Sequence, residues 1–441
     1  MQGRNWASAL LGAMTIALSC ASAAGPQLSV YKWDVPNGPS NVNAFGQWLG
    51  APVTIASAYE AMDSWDTISG ASWQLGPWSK WVKASPGRNL SLGVPLIPNT
   101  GGSLSSCAAG QYDTYWRRLA NNLAYYGLHW AYLRLGWEMN GGWFKWGAPK
   151  GSGKEASFAG CFRRVVQVMR QAQPANQWKF VWNPGFDGWN TATYYNSVWP
   201  GDSYVDVVGV NIYDQSWNTG TYPYPSTCDA NCRLTRQQNA WNGYVPQLST
   251  LRNFAAAHGK PMAFPEWGTI IRSDGRGGGD NPYFIQKMHQ FIVDPASRTV
   301  FHSYFDTSRT SHDHRLAAAT SQDNPNGSTR MPYAAAQFKK LFGPQQSLSS
   351  GPTGVTFTAP ANGATISGSF SDSTACQVTG TGIARVVFFM NSTQLNTEAS
   401  APWQCKFDTR WFGNATYTLK AVAYNAAGAS TTVTRTVTVK N

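Results

Sequence analysis

An α/β chain built as a (β/α)8 TIM barrel, followed by an all-β immunoglobulin-like sandwich, is the architecture that three features of the sequence predict. Eight short apolar runs alternate with stretches of helical period between residues 27 and 342. The segment "GPQQSLSSGPT" at 343–353 has no apolar period and reads as a linker. Beyond it, residues 354–440 change to short runs in which apolar and polar residues alternate, with Gly and Asn between them.

Taken in order, the strand-like segments are "LSVYKW" (28–33), "PVTIASAY" (52–59), "SLGVPLIP" (91–98), "HWAYLRLGWE" (129–138), "WKFVWNP" (178–184), "VDVVGVNIY" (205–213), "KPMAFPEWG" (260–268) and "TVFHSYFD" (299–306). The clearest helical stretches between them are 111–127, 158–172, 242–259 and 281–292, where apolar residues recur at three- and four-residue spacing. An open doubly wound sheet is the rival arrangement. No G-x-G-x-x-G run follows the first strand, which removes its nucleotide-binding version. In the last part, "GVTFTAP", "TISGSFS", "ARVVFFMN", "PWQCKFDT", "TYTLKAVAYN" and "TTVTRTVTV" are the strand-like runs, a number and length that suit one sandwich. Trp403 and Trp411 are its only tryptophans, so no row of exposed rings marks it as a sugar-binding module, and a structural spacer is expected.

The first residues carry a basic Arg4, an apolar run over 7–19 and "ASA" at 21–23, the pattern of a signal peptide spanning 1–23. A secreted, periplasmic or extracellular destination follows; anchoring as a lipoprotein through Cys20 is the alternative. No later run is long and apolar enough to suggest a transmembrane segment. Six cysteines remain after Cys20, an even number that favours disulfides in an exported chain. Cys228 and Cys232 lie close enough to pin a loop, Cys376 and Cys405 share the last domain, and Cys107 and Cys161 are left for each other. The formal net charge is +12, with the basic residues dispersed and no nucleic-acid-binding motif among them. Instead, 21 Trp, 19 Tyr and 20 Phe suit stacking against sugars as well as core filling. The expected partner is a polysaccharide, bound by a monomer, with no nucleic acid.

Chemistry is suggested by two glutamates. Glu138 stands among rings in "RLGWEMNGGWFKWG", at the end of the fourth strand-like run, and Glu266 closes the seventh in "KPMAFPEWG". Barrel active sites lie at the carboxyl ends of the strands, and alternation places Arg134, Gly136 and Glu138 on one side. Two carboxyls facing each other across an aromatic-lined mouth suit glycoside hydrolysis, in which one group delivers a proton and the other stays ionised. Such chemistry needs no metal and no cofactor.

The motifs "RLGWEMNGGWFKWG", "FVWNPG", "GDSYVDVVGVNIYD" and "FPEWG" resemble glycoside hydrolase family 26, best known for β-mannanases, within the retaining barrel clan. The resemblance covers roughly residues 27–342. It implies that Glu138 is the acid/base, Glu266 the nucleophile, Arg134 the arginine preceding the acid/base, Tyr213 the tyrosine bonded to the nucleophile, and Trp143 an aromatic of the cleft. The family usually has histidine immediately before the acid/base; Trp137 stands there in this chain and cannot both donate and accept as histidine does. Asn140 and Trp146 in the same loop, Trp182 and Asn183 after the fifth strand, and Trp267 and Tyr304 on strands seven and eight complete the candidates for substrate contact. The expected function is endo-acting, retaining hydrolysis of a β-linked polysaccharide. Mannan, xylan, mixed-linkage glucan and an acidic exopolysaccharide remain open, with a non-catalytic carbohydrate-binding protein as the alternative from another class. The loop "RSDGRGGGD" (272–280) is expected to be a mobile rim on which Arg272 and Arg276 meet acidic substituents. His312 and His314 are read as part of a solvated loop, not as metal ligands.

Overall fold

Strand and helix alternate eight times before the chain reaches its second unit. The computed structural model describes residues 25–186, 191–317, 329–344, 351–371, 374–425 and 430–441. The expected signal peptide and residues 345–350 of the expected linker lie outside them. The barrel strands are β1 (Gln27–Tyr31), β2 (Ile55–Tyr59), β3 (Asn89–Val94), β4 (Tyr132–Leu135), β5 (Lys179–Trp182), β6 (Val207–Tyr213), β7 (Met262–Gly268) and β8 (Phe301–Phe305). All neighbours are parallel, and β8 pairs with β1 to close the barrel. Each strand is followed by a helix: α1 (Gly38–Leu49), α2 (Ser72–Lys83), α3 (Asp113–Tyr125), α4 (Glu155–Ala172), α5 (Ala192–Val198), α6 (Ala230–Ala257), α7 (Pro282–Val293) and α8 (Pro332–Phe342).

Strand alternation sorts the side chains into two layers. One set, including Val30, Ala56, Leu92, Leu133, Phe180 and Phe264, packs outward with the helices in the main core. The other begins inside the barrel with Ile55, Val181, Val207, Ala263 and Phe301, which form an apolar cluster of their own. Two residues further along β2 and β4, the inward positions become polar: Ser57 and Arg134 are fully buried. One step beyond, the inward residues Tyr59 and Tyr213 line an open cavity. The barrel therefore has an apolar floor, a polar middle layer and a mouth.

The expected disulfides form: Cys107–Cys161, Cys228–Cys232 and Cys376–Cys405. The first ties a short helix (Leu104–Ala108) to α4. The second clasps the first turn of α6, not a loop, because that helix starts twelve residues before the periodic signal does. Asp229 caps its N-terminus by accepting from the Cys232 amide at 2.8 Å.

Residues 344–441 form the second compact unit. A five-stranded sheet runs in the order Ala364–Ile366, Ser430–Val439, Thr416–Tyr424, Arg385–Met390, Thr393–Glu398. A three-stranded sheet contains Thr353–Ala359, Gln377–Thr381 and Trp403–Gln404. Phe357 and Val378 of the smaller sheet pack with Phe388, Leu419 and Val437 of the larger, around the Cys376–Cys405 bridge. This is the alternating, two-layer burial that an immunoglobulin-like sandwich requires. Among the described residues no helix is long and apolar enough to cross a membrane.

Candidate active site

Glu138 does not sit on β4, as simple alternation suggests; the strand stops at Leu135. Gly136 then takes φ +55°, and a Cβ there would lie 2.7 Å from Leu96, so both the backbone and the space demand glycine. Glu138 itself has φ 53°, a left-handed conformation uncommon outside glycine. Its N–H donates to the Asn183 carbonyl at 2.7 Å, which fixes the turn. The carboxyl faces two neutral donors: Asn211 Nδ2 reaches Oε1 and Trp143 Nε1 reaches Oε2, both at 3.0 Å. Among the described residues no cation pairs with it. Burial, followed by the negative charge of Glu266, pushes the Glu138 carboxyl up to about 7, well above the ordinary carboxylate range.

Glu266 is held differently. Arg134 Nη1 donates to Oε1 at 3.0 Å and the Tyr213 hydroxyl donates to Oε2 at 2.8 Å. Arg134 is wholly buried; its other amino group donates to the Ala58 carbonyl at 3.2 Å and its guanidinium lies 4.5 Å from the centre of the Tyr59 ring. Glu266 faces inward because β7 contains an irregularity. The β6–β7 register shifts between Gly209–Ala263 and Asn211–Glu266, across Pro265, which has no N–H to place in the ladder. The extra residue reverses the alternation, so Glu266 points into the barrel and Trp267 into the outer core. Asn211 lies beside Glu266 in register and donates to Glu138, so it stands between the two carboxyls. Asn183 Nδ2 donates to Asn211 Oδ1 at 3.0 Å, which turns the Asn211 amide group toward Glu138.

These groups border a cavity of about 980 Å³ at the carboxyl ends of the strands. Tyr31, Tyr59, Trp137, Phe186 and Phe305 supply apolar wall, while Trp73 and Trp143 reach it as largely exposed rings. Such a combination fits a polyhydroxylated ligand with apolar faces.

Residues 122–263 match the model of glycosyl hydrolase family 26, and residues 354–421 match that of a bacterial Ig domain. The barrel is a family 26-like domain, and the second unit is Ig-like. A mannan endo-1,4-beta-mannosidase of Bifidobacterium adolescentis is 28% identical over 156 residues, covering 34% of this chain and 14% of that protein. Endoglucanase H of Acetivibrio thermocellus is 32% identical over 116 residues, covering 25% of this chain and 13% of that protein. The chain thus matches only a small fraction of the length of these curated relatives. A modular endo-beta-1,4-mannanase structure from Cellulomonas fimi shares 17% identity, with 94% of each chain covered and a TM-score of 0.49.

Within the family 26-like barrel, the structure brings Arg134, Trp137, Glu138, Trp143, Tyr213 and Glu266 together. Other expected contact residues are placed elsewhere. Trp146 is buried, stacks on Phe144 and donates to the Trp137 carbonyl at 2.8 Å, so it supports the loop from behind. Trp182 is in the outer core against Trp199 and Phe254. Trp267 is also core, with its Nε1 donating to His302 at 3.3 Å. Tyr304 is buried, and its hydroxyl donates to the His314 carbonyl at 2.9 Å. Strand parity accounts for Trp182 and Trp267, and for Tyr304, which lies between the inward Ser303 and Phe305. Asn140 is a brace, not a groove residue: it accepts from the Gly185 amide at 2.7 Å and donates to the same residue's carbonyl at 2.9 Å. Asn183 acts on Asn211 and Arg134 on Glu266; neither lines the cavity.

Two further expectations are corrected. His314 is buried, not solvated. Its Nδ1 lies 2.9 Å from the Thr269 carbonyl, its ring centre is 4.7 Å from that of Tyr213, and burial pushes it down to about 3. The 272–280 loop is tied down, not loose: Gly278 N–H donates to the Asp214 carbonyl at 2.8 Å and Ser273 N–H to the Ser311 carbonyl at 2.9 Å. Arg276 leaves the cavity and donates to the Tyr222 carbonyl at 2.8 Å. Asn211 was open to detection, since it is two residues before Tyr213 in a strand of period two. Tyr31, Tyr59 and Arg309 carry no comparable mark.

Proposed function

We propose that the chain is an exported, endo-acting retaining glycoside hydrolase that cleaves a β-linked polysaccharide of the mannan or glucan type. The observation that carries this reading is the contrast between two carboxyls on either side of Asn211. Glu138 is pushed up to about 7 and its two donors among the described residues are neutral, so at neutral pH a large share of it holds a proton. Glu266 sits against a buried guanidinium and a tyrosine hydroxyl, which suit a carboxylate. In the first step Glu138 gives its proton to the departing glycosidic oxygen while a Glu266 oxygen bonds to the anomeric carbon. In the second, Glu138 takes a proton from water as the water oxygen displaces Glu266. Each step inverts the carbon, so the configuration is retained overall. Trp73 and Trp143 would stack on sugar rings, and the family match and the names of the curated relatives support an endo-acting enzyme on mannan or glucan. The apolar leader and the three disulfides support export.

The test is product release from galactomannan and mixed-linkage β-glucan, with the first-formed anomer read by proton NMR. Retention is expected, together with loss of most turnover in Glu138→Gln and Glu266→Gln. First release of the inverted anomer, or wild-type turnover by Glu266→Gln, refutes the assignment.

A further inference from the structure

A small antiparallel sheet forms part of the cavity wall and carries a feature that the two-carboxylate chemistry does not use. Its strands are Ser308–Arg309, His312–Asp313 and Ile271–Arg272. The register sets Arg309 opposite His312 and His312 opposite Arg272, and all three residues line the cavity. Each end of the row is backed by a tryptophan. Arg309 lies 5.6 Å from the centre of the Trp33 ring and Arg272 lies 5.2 Å from that of Trp217, which is itself largely exposed.

Like charges on neighbouring strands repel one another, so such a row favours an anion at whichever member is not already paired. Arg272 is already paired with the Asp274 carboxylate at 2.7 Å and 2.9 Å and donates to Gln215 at 3.0 Å, so it is held in place with its charge largely balanced. Arg309 forms no ion pair with any described residue. The carboxyl that senses it, Asp34, already accepts from the Tyr31 hydroxyl at 2.9 Å and the Tyr59 amide at 3.1 Å. Burial pushes Asp34 up, and burial followed by the charge of Asp34 pushes up Glu60. Burial and then the two guanidiniums push the His312 imidazole down. His312 thus spaces the arginines as a neutral group, with Ser311 Oγ 2.9 Å from its Nδ1.

We propose that the Arg309–His312–Arg272 row binds an anionic substituent, a carboxylate or a sulfate ester, carried by the glycan in the cavity. The guanidinium fork of Arg309 meets the anion, His312 offers a neutral ring nitrogen, and Arg272, fixed against Asp274, closes the far end of the row. The inference rests on the reading of the cavity as a glycan site and names which glycans it prefers.

The experiment is calorimetric titration of the full chain, in a Glu138→Gln background, with guar galactomannan and with its carboxymethyl and sulfated derivatives. At least one anionic derivative is expected to bind about tenfold tighter than the neutral polymer, the size of one charge-assisted contact. Which derivative it is tells a carboxylate site from a sulfate site. Arg309→Gln should abolish that preference, while Arg117→Gln, an equal change of charge at an exposed position of α3, should leave the preference intact. The inference is overturned if neither derivative is preferred, or if the two arginine variants lose the preference equally. Cleavage of neutral galactomannan by the wild-type chain without any anionic preference would defeat this inference alone. Arg309-dependent anion binding without cleavage of any polymer would defeat the hydrolase reading and leave the anion site standing.

Discussion

Replacing Glu138 by glutamine should stabilise the folded barrel at alkaline pH and do almost nothing at pH 4, even though it removes turnover. The folded carboxyl is shifted from 4.5 to about 7 by burial and by Glu266. In the unfolded chain it ionises in its ordinary range, so between these two values the native state binds more protons than the unfolded state. Stability therefore falls as pH rises through that window and levels off above about 7. At about 1.36 kcal/mol per pH unit, a rise from 4.5 to about 7 corresponds to about 3 kcal/mol. The side chain keeps partial contact with water, and screening lowers the expected value to about 2 kcal/mol.

Glutamine isolates this quantity because it resembles the protonated acid. Asn211 Nδ2 and Trp143 Nε1 both point donors at the carboxyl, so an O–H or an amide N–H in that place confronts one of them. That penalty is shared by glutamine and by protonated Glu138, and it cancels at pH 4. At pH 8.5 the ionised wild-type group satisfies both donors but carries the cost of burial and of Glu266; glutamine escapes that cost. The assay is urea unfolding of both proteins at pH 4 and pH 8.5, followed by tryptophan fluorescence, to which the second unit contributes only Trp403 and Trp411. A difference in unfolding free energy between the two proteins that is the same at both pH values would refute the reasoning, because Glu138 would then titrate as an ordinary carboxyl.

Two further outcomes follow from the Glu266 side. Arg134→Met keeps the bulk of the buried side chain but strands Glu266 without its cation, and should cost about 3–5 kcal/mol in urea unfolding at pH 7. Tyr213→Phe removes one hydrogen bond to the carboxylate and should lower kcat/KM about ten- to a hundredfold, mostly in kcat, with little change in unfolding free energy.

Much of the barrel was legible because its signal is local. Each of the eight strand-like runs overlaps a barrel strand, since a buried parallel strand must be apolar over several consecutive residues whatever its neighbours are. The two glutamates were legible for a related reason: an acidic residue at the end of such a run has few ways to be tolerated other than at the mouth. The aromatic residues were harder, because a ring is equally at home on either face. Trp182, Trp267 and Tyr304 fall in the core by strand parity, and at Trp267 parity is set by the register shift around Pro265, visible only once β6 and β8 lie beside β7. A one-residue change of register exchanges every inward and outward side chain beyond it, so it decides at once that Glu266 reaches the cavity and that its neighbour does not. On the side wall Arg272 was legible as a basic rim residue, but its grouping with Arg309 and His312 lay beyond sequence reasoning for a different cause. Arg309 and Arg272 come within one sheet of each other only because two short segments following β7 and β8 pair through His312. No spacing within either segment encodes that contact. The chemistry of the centre is thus written along individual strands, whereas the charge of its wall arises from pairing between loops, where related barrels can differ without disturbing the strands that hold the carboxyls.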